Sequence, residues 1–279
     1  MNELNNIIFC NVITATLTLI GAFTVLKWIF LLIRHIILTV KKAADRNKIK
    51  KSFRVVPKSP ELFKPKIDYY ATEYYKQTKE YYYDILKNPG KLGEYNLYAK
   101  IMDYENAGSK FLFNCYLKKE NGETTEIDVI MINVRGIFVF ESKNYSGWIF
   151  GDQKDTNWTQ CLPNKKMAVK EQFYNPVKQN DTHIKALKRY IKKFVLYYNI
   201  VVFADTATLK GVSAEGEYTR VTNLKNLRKV IYELMLEHNE VLNLEEINRI
   251  YDYFYPYTQV SKEVKEQHIK NIQKNKSPE

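Results

Sequence analysis

The first apolar run of the chain, residues 7–26 (IIFCNVITATLTLIGAFTVL), holds about 20 residues without a charge, the length that crosses a bilayer's hydrocarbon core at helical rise. It predicts a transmembrane helix that runs on toward residue 33, with Lys27 reaching the headgroups and Trp28 at the interface. A removable signal peptide is the poorer reading, because MNELNN lacks a basic leader and no small-x-small cleavage site follows. Beyond Pro57, Pro60 and Pro65 the pattern changes. Residues 68–87 are Tyr-rich and free of breakers, predicting a connecting helix ended by Asn88-Pro89-Gly90, whose tyrosines make a packing face. A short helix is expected over residues 91–102.

Alternation then takes over. Residues 110–118 (KFLFNCYLK) read as a half-buried strand, Asn121-Gly122 as a hairpin tip, and residues 124–133 and 137–143 as the next two strands, joined through Val134-Arg135 and Gly136. A fourth strand is expected near residues 148–151, completing an antiparallel meander. Asn175-Pro176 opens a helix to about residue 194, with Asn as cap and Pro in the first turn. Residues 196–204 (LYYNIVVFA) have the continuous apolar character of a strand buried on both faces, and helices follow near residues 223–238, 244–255 and 261–274. Helix, three strands, helix, strand is the order of a mixed α/β core with a helical C-terminal extension.

Charge adds a partner class. Among 279 residues the net charge is +12, which favours an anionic partner, nucleic acid or a lipid surface. Basic residues follow the apolar run rather than precede it, so the positive-inside rule keeps the C-terminal bulk in the cytoplasm, and residues 41–58 could lie on anionic lipid or serve as a solvated linker. The helix after Pro176 is basic as well, through Lys178, Lys185, Lys188, Arg189, Lys192 and Lys193, which suits a phosphate backbone and a solvated face equally. Three cysteines, far apart and without histidines at ligand spacing, exclude a disulfide framework and a zinc site.

The chemistry sits where charge interrupts strand. Asp128 lies inside an apolar run and Glu141 directly follows Gly136-Ile-Phe-Val-Phe, a costly place for an unpaired carboxylate. If the hairpin closes over an even turn at Val134-Arg135, Asp128 stands opposite Glu141 on one face at about 5 Å, and Lys143 shares that face. An odd loop with a bulge at Gly136 shifts the pair to a diagonal. Two facing carboxylates call for a cation between them, a hard divalent ion or, equally, the Lys143 ammonium of a structural ion pair. The tripeptide Glu-x-Lys means nothing alone: Glu263-Val264-Lys265 is a chance copy.

The series Gly93-Glu94, Glu126-Ile127-Asp128, Gly136 through Glu141-Ser142-Lys143-Asn144, Gly147-Trp148, Trp158 and Asn175-Pro176 to Gln179 resembles the nuclease-related domain (NERD) family across residues 91–205. That resemblance implies the restriction-endonuclease-like, PD-(D/E)xK arrangement: a mixed sheet flanked by helices, with a metal site on the second and third strands. By it Asp128, Glu141 and Glu94 would ligate Mg²⁺ or Mn²⁺ with help from the Ser142 carbonyl. Lys143 would orient or deprotonate the attacking water, and Gln179 would touch substrate or water. Asn175, Gln179 and His183 recur at i, i+4; Asn175 suits a cap and His183 a plain surface or core histidine. Trp148 and Trp158 would pack under the sheet.

The expected organisation is a transmembrane anchor (1–40), a basic linker and connecting helix (41–90), a nuclease-like domain (91–205) and a helical extension (206–279). The expected protein is a single-pass bacterial membrane protein whose cytoplasmic domain hydrolyses DNA, in preference to RNA, with a divalent metal. The alternative is a catalytically silent, membrane-tethered module that binds nucleic acid or serves as a scaffold.

Overall fold

Asn133 faces Gly136 across a two-residue turn at Val134-Arg135, so the chain reverses in even register between β2 (Thr124–Asn133) and β3 (Gly136–Lys143). Gly136 is required there. It holds φ +132°, and a Cβ on it would stand 2.4 Å from the Leu196 carbonyl oxygen, which accepts the Ile137 amide. The computed structural model in which this is seen describes residues 33, 36, 37, 68–163, 168–214 and 216–276. The apolar run at 7–26 and the basic linker at 41–58 lie outside the described residues. Among the described residues no helix is long and apolar enough to cross a membrane.

β1 (Lys110–Lys118), β2 and β3 form the expected antiparallel meander, with Gly122 at φ +82° in the hairpin tip. The meander stops at three strands. β3 is extended by two parallel neighbours, β7 (Tyr197–Phe203) and β9 (Thr219–Asn223), in the order β1-β2-β3-β7-β9. β4 (Gly147–Asp152) leaves for a second sheet with β5 (Asn157–Leu162), β6 (Val169–Tyr174) and β8 (Ala207–Ser213), ordered β6-β5-β4-β8. β5, β6, β8 and β9 escape the sequence pattern because their apolar positions are few and do not alternate; backbone ladders and scattered apolar anchors such as Trp158, Phe173 and Ala207 hold them.

The helical elements are α1 (Glu73–Thr78), α2 (Tyr82–Lys87), α3 (Pro89–Ile101), α4 (Pro176–Lys188), α5 (Leu227–Glu237), α6 (Leu244–Phe254) and α7 (Lys262–Lys276). The single connecting helix expected at 68–87 is broken. Lys79 turns left-handed at φ 56°, and the Tyr69 hydroxyl donates to the Glu80 carbonyl at 2.6 Å. The tyrosines do pack as a face: Tyr69 meets Tyr82 and Tyr95 at ring distances of 5.1 and 5.2 Å, and Tyr74 meets Phe113 at 4.9 Å. α4 ends before residue 194, where Tyr190 and Ile191 turn in against the core.

β1 was expected to be half-buried but is covered on both faces. Phe111 and Phe113 join the core under α3 and α5, whereas Cys115 and Leu117 join the core under α4 and α6. Strict alternation would put all four on one side. Asn114, left-handed at φ 50°, resets the phase between them, and Ile127 against Val129 shows the same change on β2. The irregularity therefore lies at Asn114 and at Asp128 across from it. A third core, with Trp158, Ile149, Val177 and Phe203, packs β4 and β5 on the first sheet.

Candidate active site

Val129 pairs with Phe140 as the last step of the β2–β3 ladder, and Asp128 and Glu141 are the next residues on the two strands. Asp128 Oδ2 accepts the Ser142 amide at 2.9 Å, a backbone bond that ties the carboxylate to β3. Lys143 Nζ donates to Glu141 Oε1 at 2.6 Å and to Gln179 Oε1 at 3.1 Å. Glu141 Oε2 stands 3.0 Å from His183 Nε2, and His183 Nδ1 stands 2.8 Å from the Thr125 hydroxyl. α4 delivers both Gln179 and His183, one turn apart. Its N-terminus is fixed by Asn175, whose Oδ1 accepts from the Val177 and Lys178 amides while Nδ2 donates to three carbonyls of residues 152, 153 and 155.

Glu94 arrives from the opposite face. A Cβ at Gly93 would lie 2.9 Å from Ser142 Oγ and 3.1 Å from Asn144 Cβ, so only glycine lets α3 come this close to the end of β3. The Asn144 amide, donating to the Pro89 carbonyl at 2.6 Å, holds the approach. Glu94 Oε2 accepts from Asn114 Nδ2 at 3.2 Å and from the Tyr74 hydroxyl at 3.4 Å. Its bonds are with these two groups, whereas the partners of Lys143 are Glu141 and Gln179.

The charges explain each other. Burial pushes the Asp128 carboxyl well above its ordinary range, and the neighbouring Glu141 and Glu94 carboxylates push it further, against Lys143 and the Ser142 amide. Burial also raises Glu94, to about 7, with Glu126 adding to the effect and the Asn114 bond opposing it. For Glu141 burial is outweighed by Lys143 and His183, and its carboxyl is held below the usual value. Lys143 is likewise penalised by burial, yet Glu141 and Asp128 hold it protonated above the ordinary lysine value. Asp128 keeps an edge open to solvent though densely surrounded, and the Lys143 side chain is 16% exposed against 2% for Glu141. Asp128 and Lys143 are thus the reachable members.

Five expected residues therefore converge on the end of β2 and β3, but not as one tight cage. Among the described residues no group of three or more His, Cys, Asp or Glu side chains is gathered for a metal ion. Trp158 is fully buried as expected; Trp148 is not, and lies at the surface with Lys210 Nζ 4.3 Å from its ring centre. Sequence reasoning missed Asn114, Thr125 and the bonded role of His183. Two signals were present: an asparagine, the side chain that best tolerates a left-handed backbone, splits the apolar alternation of β1, and His183 repeats the helix face of Gln179.

Two buried acids and a protonated lysine thus stand together on neighbouring strands of a mixed α/β sheet. The chain belongs to the nuclease-related domain family, whose model matches residues 89–204, from the start of α3 to just past β7. An uncharacterized protein of Bacillus anthracis is 31% identical over 189 residues, 67% of this chain and 85% of that protein. No solved structure matches.

Proposed function

We propose that this chain is a metal-dependent nuclease of the restriction-endonuclease-like, PD-(D/E)xK group, acting on DNA in preference to RNA. The observation that carries the reading is Asp128 bonded to the Ser142 amide just past the last β2–β3 pair, Val129 with Phe140, within electrostatic reach of Glu141 and of the Lys143 that binds it.

The donors suit Mg²⁺ or Mn²⁺. They are oxygens: Asp128 and Glu141 share the Lys143 ammonium, and Glu94 adds its repulsion to Asp128, a crowding of acids that a hard cation would relieve. Asp128 and Glu141, with the Ser142 carbonyl, are the residues to hold it, and Glu94 would act through its charge or through water. The bound ion would supply a Lewis acid for the phosphoryl oxygen and a water of lowered pKa.

The chain's own groups do the remainder. Lys143 is held protonated, so it is suited to steady phosphate charge rather than to take a proton from water. Gln179 fixes that ammonium from α4 and would contact substrate or water beside it. The test is cleavage of labelled DNA by the purified chain with Mg²⁺, Mn²⁺ or EDTA, beside Glu141→Gln and Lys143→Met. Cleavage should need metal and fall at least ~100-fold in both variants. Undiminished cleavage by the variants would reject this site, and binding without cleavage would favour a silent module.

The apolar run at 7–26, followed by basic residues, supports a single-pass anchor that leaves the nuclease domain in the cytoplasm of a bacterial cell, and residues 41–58 are suited to lie on anionic lipid. A phosphatase reporter, active only outside the cytoplasm, should stay silent when fused at the C-terminus. An active reporter would reverse the orientation.

A further inference from the structure

We propose that His183 is a positioning residue that aims the Glu141 carboxylate, an inference that rests on the metal-dependent reading above. His183 has a buried side chain, 4% exposed, on α4. Its ring bridges both strands that carry the two carboxylates: Nε2 meets Glu141 Oε2 of β3 at 3.0 Å and Nδ1 meets Thr125 Oγ1 of β2 at 2.8 Å. When Nε2–H donates to the carboxylate, Nδ1 is left to accept from the Thr125 hydroxyl. The carboxylate, which can only accept, thereby fixes the hydrogen on Nε2, and the Thr125 hydroxyl, free to donate, holds the ring in that orientation from its other side.

The consequence falls on Glu141. One carboxylate oxygen is clamped in the interior by His183, and the other, Oε1, faces the partly exposed Lys143 ammonium. A carboxylate held at one oxygen cannot turn to offer both, so Glu141 presents a single oxygen to a cation. Mg²⁺ demands near-octahedral angles, and a carboxylate free to rotate would meet them only part of the time. A histidine that merely fills the core would contribute packing, and a side chain of other chemistry but similar size would replace it.

The experiment is calorimetric titration of Mn²⁺ into the detergent-solubilised full chain for wild type, His183→Ala, His183→Gln and Thr125→Val, with a urea midpoint for each. His183→Ala should bind Mn²⁺ ~10–100-fold more weakly. His183→Gln, whose amide can still donate to Glu141 Oε2, should stay within about threefold of wild type, and Thr125→Val should fall between them. Wild-type affinity in folded His183→Ala would overturn the proposal, as would equal losses in the Ala and Gln variants that follow their lost stability. A wild-type chain that takes up no Mn²⁺ overturns the metal reading and this inference together, whereas failure at His183 alone leaves that reading standing.

Discussion

Asp128→Asn is expected to yield a protein that is more stable than the wild type in EDTA at pH 8 and at least ~100-fold slower in cleaving DNA with Mg²⁺. The gain comes from removing one of several like charges. Asp128 is raised by burial first and then by Glu141 and Glu94, so its charged form is disfavoured in the folded chain by lost solvation and by repulsion from the neighbouring acids. Asparagine keeps an oxygen for the Ser142 amide, which Asp128 Oδ2 now accepts at 2.9 Å, and sets a neutral donor where a negative charge stood. About 1–2 kcal/mol of added stability is reasonable for such a change, or roughly 3–6 °C for a domain of this size. The loss of activity comes from the same substitution, because an amide is a poor ligand for a hard cation. Thermal unfolding in EDTA and a cleavage assay on one preparation check both halves. A less stable Asp128→Asn protein would mean that the carboxylate is a structural partner of Lys143, and the ion-pair reading of the site would replace the catalytic one.

The metal-free wild type should lose stability as pH rises from about 4.5 through 7, and a divalent cation should flatten that slope. Glu94 is raised from 4.5 to about 7, and Asp128 is raised too. Between the unfolded and folded values the folded chain binds more protons than the unfolded one, so unfolding free energy falls with increasing pH. Glu141, whose carboxyl is lowered, works in the other direction, but its effect is confined to acid below the ordinary carboxylate range. A loss of a few kcal/mol across the window is the expected scale. Urea midpoints at half-unit pH intervals, in EDTA and in millimolar Mn²⁺, measure it. A midpoint that climbs from pH 5 to 7.5 in EDTA would contradict the buried, mutually repelling acids.

Much of the first sheet was legible. β1, β2, β3 and β7 lie within a residue or two of their patterned segments, because each buries enough apolar surface to leave period-two or continuous runs. Asn121-Gly122 and Asn175-Pro176 announced a turn and a helix start through chemistry local to two residues. Beyond β4 the second sheet left no such pattern: NWTQCL and VKEQFY show no sustained apolar alternation, and they become strands by pairing with each other and by setting Trp158 and Phe173 against Phe203 of the first sheet. The break at Lys79 left no mark either, since lysine does not advertise a left-handed backbone.

At the site the division is finer. The types Asp128, Glu141 and Lys143, the last two spaced two residues apart, were fixed by the chain itself, since an unpaired charge inside apolar strand implies a partner. Which partner each found was settled in three dimensions. The even turn at Val134-Arg135 set the β2–β3 register as far as Val129 and Phe140, and just beyond it Asp128 turned to the Ser142 amide. The missing Cβ of Gly93 brought Glu94 within electrostatic reach, Asn114 broke the β1 ladder beside Asp128, and α4 carried His183 to the far oxygen of Glu141. Local composition can state that a charge is costly, but the angle and distance that relieve the cost come from segments far apart in sequence, and only packing brings those together.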